Sequence, residues 1–176
     1  MLKRIIIGML AFVAVAFAVV YGVGASLPRN HVAAVRAEFA ASPEEIFETV
    51  ADFRAYPEWR STVERIEELP SEDGKPAWVE IGLTGPLPME LTESEPPNRL
   101  VTTILSEDLP FGGRWIVEVE PAATGATVTI TEEGEVYSAI FRFVSRYLMG
   151  YHATASLFLT DLAARFGDDV TIDIVR

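Results

Sequence analysis

The side chains best suited to proton transfer here are two histidines, His31 and His152. His152 falls in a segment of helical period, three residues from Met149 and three from Ala155. A general base needs a partner that orients it, and the sequence places none beside it. His152 is therefore expected on a helix flank with an ordinary hydrogen bond, and His31 at the edge of the folded region. Arg142 and Arg146 stand one helical turn apart, on the side away from an apolar stripe that starts at Ile140. They are expected to face water or the sheet's acidic rim rather than to hold a substrate anion. Glu132 and Glu133 are adjacent on a strand, point to opposite faces and cannot converge on one atom; they read as a solvated strand end. There is no cysteine, which excludes a thiol nucleophile, a disulfide framework and a thiolate zinc site. No glycine-rich phosphate loop, metal-ligand spacing or nucleophile elbow is present. No catalytic residue, metal or cofactor is assigned.

The charge narrows the partners further. The chain has 176 residues and a net charge of −12; Lys3 and Arg4 lie in the first 27 residues and no acid does, so the part from Pro28 onward carries 12 basic and 26 acidic residues, a net −14. A domain this acidic repels nucleic-acid phosphate, and nucleic-acid binding is excluded as a reading. The basic residues are almost all Arg and Ala is abundant, which points to a GC-rich bacterial genome. One domain fits the length.

The first 27 residues are of another kind. After Met-Leu-Lys-Arg comes the uncharged stretch from Ile5 to Ala25. As a helix it rises about 31 Å, matching a bilayer core of roughly 30 Å. Its length favours a retained anchor over a secretory signal, whose apolar region is usually about 7–15 residues, while Val23-Gly24-Ala25 keeps cleavage open. Lys3 and Arg4 predict a cytoplasmic start and an extracytoplasmic body, and Arg29 and Arg36 weaken that asymmetry.

Residues 28–31 form a short linker, 32–167 one folded domain, and 168–176 a tail whose alternation hints at a late strand. In "VAAVRAEFA", Val35, Ala37 and Phe39 share one face against Arg36 and Glu38. "SPEEIFETVAD" carries a full helix start: Ser42 as cap, Pro43 at the first position, Glu45 closing a capping box. Ile46, Phe47, Val50 and Phe53 form its buried face. Strands follow at "AWVEIGL" (Ala77, Val79, Ile81 and Leu83 against Trp78 and Glu80), "LPMEL", "RLVTTIL", "RWIVEVE" and "GATVTITEEGEV", with Val128 and Ile130 inward and a bulge expected at Gly134. From Ser138 the period is helical: Ile140, Val144, Leu148, Tyr151, Ala155, Phe158, Leu162 and Phe166 make one stripe, a helix of about 28 residues. Gly150 within it permits a close strand, room for a ligand, or a kink. The fold class is α+β: an antiparallel sheet with one face covered by a long helix.

This order, with "SPEEIFETVADFRAYPEW", "EPPNRL", "FGGRW" and "GATVTITEEGEV" before a long helix, resembles the START-like helix-grip superfamily, also called SRPBCC. Within it the chain is most similar to the polyketide cyclase/dehydrase and lipid transport family, from about Val32 to Gly167. The resemblance implies a curved sheet wrapped around the last helix, two short helices closing one end, and a deep apolar cavity for a lipid or other hydrophobic small molecule. With the local reading, it implies that Pro57 ends one short helix and turns Phe53, Tyr56 and Trp59 inward, Tyr56 and Trp59 each keeping a polar atom for a ligand headgroup. Trp78, Trp115, Tyr137, Phe141 and Tyr151 are the further expected lining residues. A cyclase or dehydratase on the same fold is the runner-up, and a closed-cavity membrane interaction protein the third reading. Oligomeric state and the ligand's identity are not legible.

Overall fold

The computed structural model describes residues 1–71, 74–82, 85–105 and 108–176. Among these residues eight strands, β1 (Asn30–Phe39), β2 (Arg65–Leu69), β3 (Ala77–Gly82), β4 (Gly85–Glu95), β5 (Arg99–Ile104), β6 (Phe111–Pro121), β7 (Ala126–Val136) and β8 (Asp173–Ile174), make one curved antiparallel sheet in the order β2-β3-β4-β5-β6-β7-β1-β8. Helix α1 (Leu2–Ser26) precedes it; α2 (Pro43–Ala51) and α3 (Tyr56–Trp59) follow β1; α4 (Ala139–Val144) and α5 (Ala153–Phe166) follow β7.

The strand pattern dictates which face is core. Val35, Ala37 and Phe39 pair with Ile130, Val128 and Ala126, all buried, while Arg36 and Glu38 between them are exposed. Phe158, Leu159 and Leu162 of α5 and Ile46, Phe47 and Val50 of α2 complete this core. The α2 start is as expected: Ser42 Oγ accepts from Glu45 N at 3.3 Å, and Glu45 Oε2 accepts from Ser42 N at 3.0 Å. The Ser42 N–H and hydroxyl, both donating to Glu45 Oε2, lower the pKa of that carboxyl. Strand β2 was not legible, since "RIEEL" exposes charge on an edge strand; Leu83 lies outside the described residues. The tail does form a strand, with Ile174 opposite Val35.

Three sequence expectations need correction. Gly134 is no bulge, because its register with His31 and Gly113 runs unbroken. Its hydrogen side chain instead leaves space for the His31 ring, which a Cβ there would strike. The last helix is broken: after α4 comes a π-helical turn, Ser145–Met149, and Gly150 at φ 81°, ψ 141° cannot continue a helix. Of the alternatives at Gly150, the kink holds. The break swings the early stripe off the sheet, leaving Ile140 and Leu148 exposed while Ala155, Phe158 and Leu162 stay buried. Lastly, Arg142 is buried. Its Nε donates to the Gly24 carbonyl at 2.8 Å and its Nη1 to the carbonyls of Val136 and Tyr137, both at 3.2 Å, so it fastens the end of α1 to α4. Arg146 is exposed, as expected.

Candidate functional site

The concave face begins at α3. Helix α2 stops at Ala51 because Asp52 leaves helical dihedrals (φ −83°, ψ 77°), and a 3-10 turn over Phe53–Ala55 follows. Pro57 then sits in the first turn of α3, where its missing N–H costs nothing. It starts a short helix rather than ending one. The result turns three rings inward. Phe53 stacks on Trp78 at 4.2 Å, Tyr56 meets Trp59 edge-on at 5.5 Å, and Phe158 of α5 meets Trp59 at 5.2 Å and Trp115 at 5.8 Å. The rings touch one another, so Tyr56, Trp59, Phe158 and Trp115 form a continuous run beneath α5.

The Tyr56 hydroxyl is not available to a ligand. It donates to the Val50 carbonyl at 2.7 Å, and burial raises its pKa well above the ordinary phenol value. The Trp78 and Trp115 indoles are likewise engaged. By contrast Trp59 is half-buried and its Nε1–H is enclosed without an acceptor.

Two carboxylates stand among the rings. Trp78 and Glu80 share the inward face of β3; Glu80 Oε1 accepts from Trp78 Nε1 at 3.3 Å and from Arg60 Nη1 at 2.8 Å. The Arg60 guanidinium also lies over the rings of Tyr56 and Phe158, at 4.7 and 5.0 Å. Glu132 sits on the inward face of β7, which corrects its reading as a solvated strand end. Its Oε2 accepts from Trp115 Nε1 at 3.1 Å and Thr154 Oγ1 at 3.2 Å, and its Oε1 faces His31 Nε2 at 3.1 Å. The His31 ring lies between Gly134 and Tyr151, stacked on the latter at 4.0 Å, and its Nδ1 is buried without a partner. Parity could have found both acids: Glu80 is two residues from Trp78, and Glu132 two from Ile130. Glu133, on the outer face, pairs with Arg114 at 2.8 Å.

The remaining expected residues separate. Phe141 stacks on Phe111 at 5.6 Å, under α4. Tyr137 is on the outer side, 43% exposed, with its hydroxyl over Gly112. It does not join the interior run. His152 stands at the position before α5 without capping it by its side chain, and bonds the Arg176 carbonyl at 2.6 Å, the ordinary bond expected of it. Among the described residues no three His, Asp or Glu side chains converge to hold a metal ion. An open depression of about 540 Å³ lies elsewhere, against Glu95, Asn98, Arg99 and Glu118, and its paired charges suit no apolar ligand.

A curved antiparallel sheet, closed at one end by short helices and crossed by a carboxy-terminal helix, is the START-like helix-grip fold. A family model described as polyketide cyclase / dehydrase and lipid transport matches residues 30–166, and the chain belongs to that family. No curated protein matches it. Solved structures show the same fold at low identity. A Thermobifida fusca protein is 22% identical with a TM-score of 0.60, covering 79% of this chain and 93% of its own. A START superfamily protein from Mycobacterium smegmatis is 21% identical with a TM-score of 0.55, covering 78% and 94%. The di-domain ARO/CYC StfQ from the steffimycin biosynthetic pathway is 12% identical with a TM-score of 0.59; the match covers 76% of this chain and 50% of StfQ.

Proposed function

We propose that this domain binds a hydrophobic small molecule or lipid on its concave face, between the sheet and α5, and that α1 tethers it to a membrane. The observation that carries the reading is the pair Trp59 and Trp115. Both are half-buried, both pack edge-on against Phe158, and the Trp59 N–H is enclosed with no acceptor of its own. An apolar ligand that parts these rings gains roughly 25 cal/mol for each Å² of apolar surface removed from water, and an acceptor on it would satisfy the indole. Tyr56, Trp78 and Tyr151 would line the walls around them, while Phe141, against Phe111, and Tyr137 would stand apart. Membership of a family described by lipid transport supports the ligand class. The tether is supported by α1, which is 25 residues long and holds an 18-residue stretch of mean hydropathy 2.6, enough to cross a bilayer. Lys3 and Arg4 favour a cytoplasmic start.

A second reading is favoured by His31. Its Nε2 is held by Glu132 and its Nδ1 is free, the arrangement of an oriented base, which would suit proton transfer of the cyclase or dehydratase kind.

The binding reading is tested on the full-length chain exchanged into nanodiscs of one synthetic phospholipid. Extraction and mass spectrometry should recover a different apolar molecule in stoichiometric amount. Trp59→Ala should lose that molecule while its thermal transition falls only modestly. Recovery of nothing beyond the supplied phospholipid would sink the binding reading. If binding and stability collapse together, Trp59 belongs to the core. Deuterium exchange into the retained molecule that His31→Phe abolishes would favour proton transfer instead.

A further inference from the structure

Helix α1 does not leave the domain as a loose tether. Among the described residues only its last two turns pack on the rest of the chain: Val20 and Val23 are half-buried, Gly24 is buried, and every earlier residue of the helix is exposed. A Cβ at Gly24 would collide with the Ala139 carbonyl, and Phe143 lies one turn further along α4. The buried Arg142 closes the junction through the Gly24 carbonyl. Leu2 to Val19 rises about 27 Å as a helix, close to a hydrocarbon thickness of roughly 30 Å. If that part spans, the α1–α4 junction stands at the bilayer surface. The inference therefore rests on the reading of α1 as a membrane span.

What lies beside that junction is apolar and unpaired with any core. The π-helical turn after α4 exposes Tyr147 (57%), Leu148 (73%) and Met149 (52%) in succession. Tyr147 continues the Ala139–Phe143 stripe at four-residue spacing and touches the Phe143 ring at 5.1 Å. Charge is sorted the same way. The chain carries no Asp or Glu before Glu38 and none from Val136 to Thr160, and these two acid-free stretches pack together at the junction. The nearest acid on the sheet is Glu135, opposite Asn30 and next to Val136, at the edge of this region. In a body of net −14, these acid-free stretches are what an anionic headgroup layer would repel least, and Arg146 adds a cation to them.

We propose that Ser145–Met149 is a second membrane contact, seated in the interface between headgroups and acyl chains beside the exit of α1. Tyr147 fits the aromatic belt of that interface, and Leu148 and Met149 reach the acyl boundary. The contact fixes how the body sits on the bilayer. It turns the Gly150 break, with Tyr151 and His31 behind it, toward the lipid.

The absence of cysteine makes the test direct. Leu148→Cys in the full-length chain is labelled with an environment-sensitive thiol fluorophore and reconstituted in vesicles of equal parts phosphatidylcholine and phosphatidylglycerol. Thr124→Cys, in the exposed turn between β6 and β7 at the other end of those strands, is labelled as reference. The Leu148→Cys probe should emit to the blue of the reference and lose roughly half its intensity when doxyl-labelled lipid is included, while the reference is unchanged. A chain that resists carbonate extraction but reports water at both positions overturns this contact and leaves the tether standing. A chain that carbonate releases overturns both.

Discussion

Glu80 and Glu132 lie on the same concave face, and each accepts an indole N–H, from Trp78 and Trp115 respectively. They differ in what completes them. Glu80 meets Arg60, a permanent cation whose guanidinium is also clasped against two aromatic rings. Glu132 meets His31, which can exchange its proton and whose second nitrogen is left unpaired. The first assembly is closed: ring, acid and cation satisfy one another beside the tightly packed Phe53–Trp78 stack. The second has spare valence, and its cover, Tyr151 stacked on His31, lies just past the Gly150 break rather than within a continuous helix. One end of the aromatic run is saturated with partners and the other is not, which is the difference the proposed binding would use.

The largest effect should come from removing the permanent cation. Arg60→Ala leaves Glu80 nearly buried with only an indole for company, and denaturant unfolding should show a loss of about 3–5 kcal/mol. A loss under about 1 kcal/mol would mean that water reaches Glu80 and that this end is not closed. Next in size is Gly134→Ala. The added methyl strikes the His31 ring and should lower stability by about 1–3 kcal/mol, and His31→Ala should restore part of it by vacating the space. A Gly134→Ala variant as stable as the parent would show that the ring slides aside freely.

Tyr56→Phe probes the closed end more gently. Losing the bond to the Val50 carbonyl should cost about 1 kcal/mol at neutral pH. The sign at high pH follows from the raised pKa of the buried phenol. Its contribution is fully present below the unfolded value of about 10 and is lost as pH rises toward the folded value. Stability of the parent should therefore fall at alkaline pH, and the Tyr56→Phe curve should be flatter there. Parallel curves would mean that Tyr56 is not the group responsible.

The two ends were not equally legible. The capping box at Ser42, the alternation of Val35, Ala37 and Phe39, and the late strand are local patterns, and local patterns survive reading from sequence. Glu132 was within reach, because it continues the inward parity of Val128 and Ile130; its charge argued for solvent and prevailed over position. Arg142 was not, since the carbonyl it holds belongs to Gly24, far away in the chain, and only the folded junction brings them together. The Gly150 break was half legible: the glycine marked the place, but helical periodicity continues on both sides of it and hides the change of direction.

The smallest expected effect is the most discriminating. Phenylalanine at position 31 keeps a ring of similar size over Gly134 and against Tyr151, so the stack is retained and no cavity opens. It removes both the bond to Glu132 and the unpaired Nδ1. Glu132 keeps Trp115 and Thr154 as donors, and its side chain is 19% exposed, so water can take the place of the imidazole. Loss of one hydrogen bond is then offset by removal of one buried unpaired nitrogen, and His31→Phe should change stability by less than about 1 kcal/mol. A double-mutant cycle with Glu132→Gln should return a coupling of similar size, well below that between Arg60 and Glu80. Were His31→Phe to cost as much as Arg60→Ala, the imidazole would be a structural cation like the guanidinium, and the open end of the concave face would be no more adjustable than the closed one.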